Sequence, residues 1–247
     1  MRNILDYEKQ YLTSPFERYS EKYRREVVKN TIENHAKKGG VVVEIGCGVL
    51  PLFADYKDTY SFIVIEPGNY CFENAKKLAQ GSKHVQCYQG FFEDVIDEIE
   101  EEKISLIVCS SLLHEVRNPS VLLQNIRRLC GQDTIVHINV PNALSFHRIL
   151  AWKMELIEDV HQFSERNRDL QQHAVFDMKT LKQLVNEENF KIIEEGSYFL
   201  KPFTHKQMQQ CIDLEIINDD ILNGLNGLCE SHFKEYGSEI YLNIQLK

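Results

Sequence analysis

Short apolar runs rich in β-branched residues alternate along this chain with longer stretches whose apolar positions recur every three or four residues. Val41-Val-Val-Glu-Ile45, Ser61-Phe-Ile-Val-Ile65 and Ile104-Ser-Leu-Ile-Val-Cys109 show the first pattern. Near-continuous runs of this kind read as strands buried on both faces of a parallel sheet. The pattern predicts strands near 41–46, 61–65, 84–88, 104–109, 133–139, 190–197 and 239–246. It predicts helices near 17–37, 69–80, 92–100, 119–130 and 178–189. Strands alternating with helices imply an α/β fold with a largely parallel sheet flanked by helices.

Two stretches stand outside that alternation. Residues 142–175 set Arg148, Trp152, His161, Arg166, Arg168 and His173 in helix-forming sequence. Residues 202–236 mix Ile212, Leu214, Ile216 and Ile217 with Asn-Gly pairs at 223–224 and 226–227, which read as helix breaks. This second addition reads as helices covering the sheet, with a homodimer contact or a substrate cover as the alternatives. Residues 1–38 carry Tyr7, Tyr11, Tyr19, Tyr23 and Phe16, and read as helices capping the domain.

Composition narrows the class. A chain of 247 residues with 43% hydrophobic and 26% charged residues can bury the core of one domain. The formal charge of −9 lacks the basic face that a nucleic-acid substrate calls for. No apolar run reaches the roughly 18 residues of a membrane span. Arg2, Asp6, Glu8 and Lys9 interrupt any secretory h-region, so no secretory signal and a cytoplasmic setting are expected. Seven scattered cysteines form no C-x-x-C pair, so they read as reduced small hydrophobes and no metal site is expected.

The candidate chemistry begins at the end of the first strand, Glu44-Ile-Gly-Cys-Gly48. Gly46 and Gly48 permit a tight turn that lets the backbone approach a ligand. A dinucleotide fingerprint wants Gly or Ala three residues after its second glycine, where this chain has Pro51. Glu44 would repel a phosphate and suits a cationic ligand. The motif resembles the first motif of the class I S-adenosylmethionine-dependent methyltransferases, whose acid and glycine turn receive the methionine end of the cofactor. Glu66 ends the second strand 18 residues past Gly48 and is similar to the family's ribose-diol acid.

The resemblance covers roughly residues 25–200 and implies a seven-stranded sheet whose last strand enters antiparallel, with 142–175 as a lid. It implies that Glu44, Gly46, Cys47, Gly48, Glu66, Pro67, Phe92, Glu93, Ser110 and Tyr11 bind S-adenosylmethionine, released as S-adenosylhomocysteine. Gly90-Phe-Phe-Glu-Asp94 stands where the family meets adenine, although Phe91 replaces the usual acid after the glycine. Ser110-Ser-Leu-Leu-His-Glu-Val116 stands where the family faces the transferred methyl.

Methyl transfer to a hydroxyl calls for alignment and a base, and histidine suits the second task. His114 and His173 are the catalytic candidates. Helix capping is the competing reading of His114, and His137 reads as a core residue. Asn139, Asn142, His147 and Arg148 are expected near the acceptor, with Arg148 suited to a phosphate or carboxylate. Residues 140–152, 173–177 and 196–208 look like a bacterial branch associated with surface-saccharide or small-molecule assembly. The expected activity is therefore methyl transfer to a small polar acceptor: O-methylation of a saccharide precursor, or of a phosphorylated or nucleotide-linked metabolite. N-methylation of an amine or amide, a non-catalytic cofactor-binding subunit, and a nicotinamide-dependent oxidoreductase are the alternatives.

Overall fold

A computed structural model describes residues 3, 4, 15–56, 59–99 and 103–247, so Tyr11 lies outside the described residues. Its strands are β1 (Val41–Ile45), β2 (Ser61–Glu66), β3 (Val85–Gln89), β4 (Ile104–Ser110), β5 (Ile135–Pro141), β6 (Phe190–Tyr198) and β7 (Glu239–Leu246). Its α-helices are α1 (Glu17–His35), α2 (Asn69–Leu78), α3 (Phe92–Val95), α4 (Pro119–Leu129), α5 (Phe146–Lys153), α6 (Glu165–Asp169), α7 (Met178–Glu187), α8 (His205–Asp213) and α9 (Asp219–Ser231).

The strands form one seven-stranded sheet in the order β3-β2-β1-β4-β5-β7-β6. β7 runs antiparallel to β5 and β6, and the other pairs are parallel. The chain walks from β1 out to β3 and then returns to place β4 on the other side of β1. That reversal is a topological switch point, and the crevice beyond the carboxyl ends of β1 and β4 is where such sheets bind ligands.

Alternation sorts the strand residues onto two faces. Val43, Ile45, Ile63, Ile65, Ile107 and Cys109 join Leu122, Leu123 and Ile126 of α4 and Leu181 and Val185 of α7 in one core. Val42, Phe62, Val64, Leu106 and Val108 join Val28 and Ile32 of α1 in the other. Glu44 follows Val42 by two residues, so it sits on the α1 face. Helix α4 starts at an Asn118 cap whose side chain accepts from Val121 N, with Pro119 in its first turn. Helix α7 starts at a capping box formed by Asp177 and Thr180.

Three elements differ from the sequence expectation. The helix expected over 92–100 is one α turn at Phe92–Val95 followed by a 3-10 turn at Ile96–Glu98. Strand β5 runs on to Pro141, which puts Asn139 inside the sheet. Helix α9 passes straight through both Asn-Gly pairs. Tertiary bonds offset the glycine cost there: Asn226 Oδ1 accepts from Phe199 N at 2.9 Å, and Asn223 Oδ1 accepts from Tyr23 OH at 2.9 Å. Met208, Ile217 and Leu222 of the 202–236 addition form a third core with Phe16, Tyr23, Tyr198 and Phe199. The addition thus covers the junction of α1 and β6. No helix among the described residues is long and apolar enough to cross a membrane.

Candidate active site

The loop after β1 is built by backbone conformation and then held by side chains. Gly46 and Gly48 take φ of +79° and +56°, the left-handed region that glycine adopts without a Cβ penalty. A Cβ on either would meet open space, so the turn presents bare backbone to the crevice. Asn74 Nδ2 donates to Val49 O at 2.7 Å, and Arg25 Nη1 donates to Leu50 O at 2.6 Å. The Glu44 carboxylate accepts Leu52 N at 2.9 Å. Only a 3-10 turn, Leu52–Asp55, follows the loop. In a dinucleotide cradle the first free N–H of the helix would meet pyrophosphate. Here Leu52 N is taken by the protein's own carboxylate.

From the other side of the turn, Glu66 Oε2 accepts Gly48 N at 3.1 Å while Oε1 accepts Gly68 N at 2.8 Å. Both acids are buried, and burial penalises their charged forms. Glu44 is pushed up to about 8 by desolvation, against the lowering effect of the Leu52 amide. Glu66 is also raised by burial, partly offset by the Gly68 and Gly48 amides. Two buried acids facing one crevice favour a ligand that brings positive charge.

Two cavities open at the switch point. The first is walled by Glu44, Gly46, Cys47, Gly48, Glu66, Pro67 and Ser110, with apolar contributions from Ile4, Leu50, Cys71 and Leu112. The second is walled by Glu17, His114, His147, Arg148, Arg166, Lys201, His205 and Glu239, among others. Arg24, Ser111 and Glu115 border both. Ser111 takes φ of +53°, which places it at a sharp turn off the end of β4.

The sequence matches the family described as methyltransferase domain over residues 16–195. The chain belongs to the methyltransferase domain family. No curated protein matches it. Among solved structures it is similar to a Haloferax volcanii putative methyltransferase, solved in complex with the Trm112 methyltransferase activator, at 11% identity and TM-score 0.62, covering 97% of this chain and 96% of that one. A Thermotoga maritima possible histamine N-methyltransferase is similar at 16% identity and TM-score 0.59, covering 100% and 97%. N-methyltransferase NodS from Bradyrhizobium japonicum, in complex with S-adenosylhomocysteine, is similar at 10% identity and TM-score 0.53, covering 96% and 90%. These likenesses establish the fold: the class I methyltransferase sheet with its antiparallel seventh strand.

The lining of the first cavity fits S-adenosylmethionine, the cofactor of the fold. Its bare glycine turn leaves room for a ligand backbone, and Glu44 and Glu66 complement a cation. Glu66 Oε1 keeps a lone pair for a ribose hydroxyl beyond the Gly68 amide it accepts, whereas Oε2 takes the Cys47 thiol at 3.7 Å as well as the Gly48 amide. Of the residues expected at the cofactor, Glu44, Gly46, Cys47, Gly48, Glu66, Pro67 and Ser110 border this cavity. Phe92 and Glu93 do not. Phe92 is 3% exposed in the core with Ile63 and Leu113, because the single turn of α3 points it inward. Glu93, the next residue of that turn, is exposed.

The expected acceptor residues divide in the same way. His114, Asn142, His147 and Arg148 border the second cavity. Asn142 is spent on structure, since its Nδ2 donates to Glu235 O at 3.0 Å and Gly237 O at 2.9 Å. Arg148 donates through Nε to Val160 O at 2.8 Å and through Nη2 to Gln162 O at 2.5 Å, bracing its own 142–175 segment. Asn139 borders neither cavity. It is fully buried, accepts Ser111 N at 2.9 Å, and donates to Ser110 Oγ at 2.9 Å. His173 is exposed, and only its backbone reaches the site, with its N–H donating to His114 O at 2.9 Å. His137 is a core residue, as expected.

Sequence reasoning passed over Glu17, Arg24, Glu115, Lys201, His205 and Glu239. Glu17 pairs with Arg24 at 3.1 Å and Arg166 at 2.6 Å, and its carboxyl is held below the usual range. Burial opposes that shift, and the His205 hydrogen bond with the Arg24 and Arg166 charges outweighs it. Glu239 accepts from Arg24 Nε at 3.0 Å and from Tyr198 OH at 2.5 Å. These residues come from α1, the β4–α4 loop, the β6–α8 loop, α8 and β7, far apart in sequence. Glu115 alone had a signal, its place beside His114 in the motif after β4.

Proposed function

We propose that this chain is an S-adenosylmethionine-dependent methyltransferase acting on an oxygen of a small polar acceptor, with saccharide precursors as the first class to try. The observation that supports this reading is the common wall of the two cavities. A cofactor in the first and an acceptor in the second would meet across Arg24, Ser111 and Glu115. S-adenosylmethionine supplies the activated methyl group. The chain's own task is to align the acceptor for in-line displacement and to take up the hydroxyl proton.

Glu115 and His114 are the residues assigned that second task in this reading. Both are buried, and His114 Nε2 lies 3.8 Å from Glu115 Oε1. Glu115 borders both cavities, so its carboxylate is the group to receive the acceptor proton, with His114 beside it as the positioning residue. A cytoplasmic setting agrees with seven free cysteines, two of which border or lie close to the cofactor cavity.

Calorimetric titration with S-adenosylmethionine and S-adenosylhomocysteine, with NADH as control, tests the cofactor. Saturable binding of the sulfur ligands alone is the expected result. Binding of NADH alone would replace this reading with the oxidoreductase. Transfer of labelled methyl from the bound cofactor to sugar hydroxyls, against amines as the competing class, then tests the acceptor atom.

A further inference from the structure

Lys201 is 3% exposed, yet its ammonium has no carboxylate within ion-pair distance among the described residues. Among the described residues its one hydrogen-bond partner is His205 Nδ1 at 2.9 Å. His205 is itself anchored, with Nε2 at 3.4 Å from Glu17 Oε2. Three carboxylates border the same cavity, and each has a partner. Glu17 is held by Arg24 and Arg166, Glu239 by Arg24 and Tyr198, and Glu115 by His114. The cations are unequal. Arg148 is committed to two backbone carbonyls and Arg166 to Glu17, which leaves Lys201 as the buried amine with no carboxylate at ion-pair distance among the described residues. Glu17 and Glu239 attract it only from farther off, and burial pushes it down to about 7.

A buried charge without an opposite charge is costly, and a ligand that brings one recovers that cost. Beside Lys201 in the cavity wall, His147 Nδ1 is buried and has no hydrogen-bond partner among the described residues. Lys201 and His147 thus line one space, and the imidazole keeps an unpartnered nitrogen beside it. Lys201, His147 and His205 border only the second cavity, whereas Glu115 and Ser111 border both. The cavity is therefore polarised, with its proton acceptor toward the cofactor and its unpaired cation away from it.

We propose that the second cavity takes an acceptor bearing an anionic group, a carboxylate or a phosphate, and that Lys201 is the residue that pairs with it. The group docks at the Lys201–His147 end and leaves the acceptor's nucleophile at the Glu115 end. Lys201 then determines specificity: neutral analogues of the acceptor are rejected because they leave the ammonium uncompensated. This inference rests on the assignment of the second cavity to the acceptor. It replaces Arg148 with Lys201 as the anion's counter-ion.

The test measures binding of inorganic phosphate and of acetate to the full chain saturated with S-adenosylhomocysteine, at constant ionic strength, by the rise in melting temperature. Wild type, Lys201→Met and Lys201→Arg are compared. Lys201→Met keeps the length of the side chain and removes the charge, so it should fold at least as well. The expected result is an anion-dependent rise in wild type and Lys201→Arg, with apparent affinity at least tenfold weaker in Lys201→Met. A response to phosphate alone or to acetate alone supports the inference and names the group. An equal response in Lys201→Met, or no response to either anion in wild type, overturns it. Lys201 does not border the first cavity, so affinity for S-adenosylhomocysteine should be the same in all three proteins. Failure of that ligand to bind wild type counts against the methyltransferase reading, while the anion response is still read without it.

Discussion

Glu66 closes the turn that Gly48 opens: its Oε2 accepts the Gly48 amide at 3.1 Å across the gap between β2 and β1. The acid at the end of one strand therefore shapes the glycine loop at the end of its neighbour. Replacing it should do two things at once. Glu66→Ala removes acceptors for Gly48 N and Gly68 N, which should cost about 1–3 kcal/mol of stability. It should also weaken S-adenosylhomocysteine by roughly 10–100-fold, the equivalent of about 1.4–2.8 kcal/mol. Glu66→Gln keeps one carbonyl acceptor and should recover part of both. Paired thermal melts and titrations separate the effects. Normal ligand affinity in a destabilised Glu66→Ala would restrict Glu66 to the turn.

Glu44 makes both folding and cofactor affinity depend on pH. Its folded pKa is raised from 4.5 to about 8 by burial. The folded state thus holds a proton that the unfolded state has released between those values. Its contribution to stability is fully present below pH 4.5 and is lost as pH rises through about 8. The slope from one such group is at most about 1.4 kcal/mol per pH unit. Glu44→Gln should flatten that fall in denaturant titrations between pH 5 and 8, a window lying inside the two pKa values. A ligand bearing an ammonium group binds the ionised form better, so wild-type affinity for S-adenosylhomocysteine should rise over the same window. A flat affinity profile in wild type would place the ammonium away from Glu44.

Burial decided which parts of this were legible in the sequence. Strands β1, β2 and β4 are apolar on both faces, so they announced themselves, and the acids at the ends of β1 and β2 stood out against that background. Phe92 misled because an aromatic beside a cofactor and an aromatic in a core have the same sequence, and only the single-turn geometry of α3 separates them. Asn139 misled because β5 runs two residues past the expected end and keeps its side chain in the sheet. Lys201, His205 and Glu17 carry no local pattern. They converge because the 202–236 addition packs on the start of α1 through Phe16 and Met208, a contact that no spacing encodes.

Glu115 and His173 give the catalytic proposal opposite controls. Glu115→Gln removes the proton acceptor at the common wall and should lower kcat by about 10²–10⁴-fold. His173→Ala alters an exposed side chain whose backbone alone touches His114, and should leave kcat within about twofold, since exposed substitutions of this kind are nearly neutral. His114→Gln should fall between them and shift the pH profile of kcat, because the imidazole faces the Glu115 carboxylate at 3.8 Å. Steady-state rates with any accepted substrate decide among these. A large loss in His173→Ala with normal rates in Glu115→Gln would move the base to the lid.

The wall that Ser111 provides is supported from inside the sheet, and acid should undo that support. Asn139 Oδ1 holds Ser111 N at 2.9 Å, while its Nδ2 lies 3.0 Å from His137 Nε2. On its other side His137 Nδ1 lies 2.7 Å from Asn243 Oδ1. An Nδ1–H donating to Asn243 and an Nε2 accepting from Asn139 describe a neutral ring. Protonating Nε2 would set two donors against each other. Burial pushes His137 down to about 4 from 6.5, so the unfolded chain binds the extra proton first. Its contribution to stability is present above pH 6.5 and lost as pH falls toward 4, by at most about 1.4 kcal/mol per pH unit. His137→Gln should flatten that acid limb, at a cost of about 1–3 kcal/mol at neutral pH for disturbed buried hydrogen bonds. Asn139→Leu should cost about the same and also loosen Ser111, whose φ of +53° needs outside support. Acceptor KM should then rise through the displaced wall, together with the loss in melting temperature. A raised KM at unchanged stability would instead make Asn139 a direct contact of the acceptor.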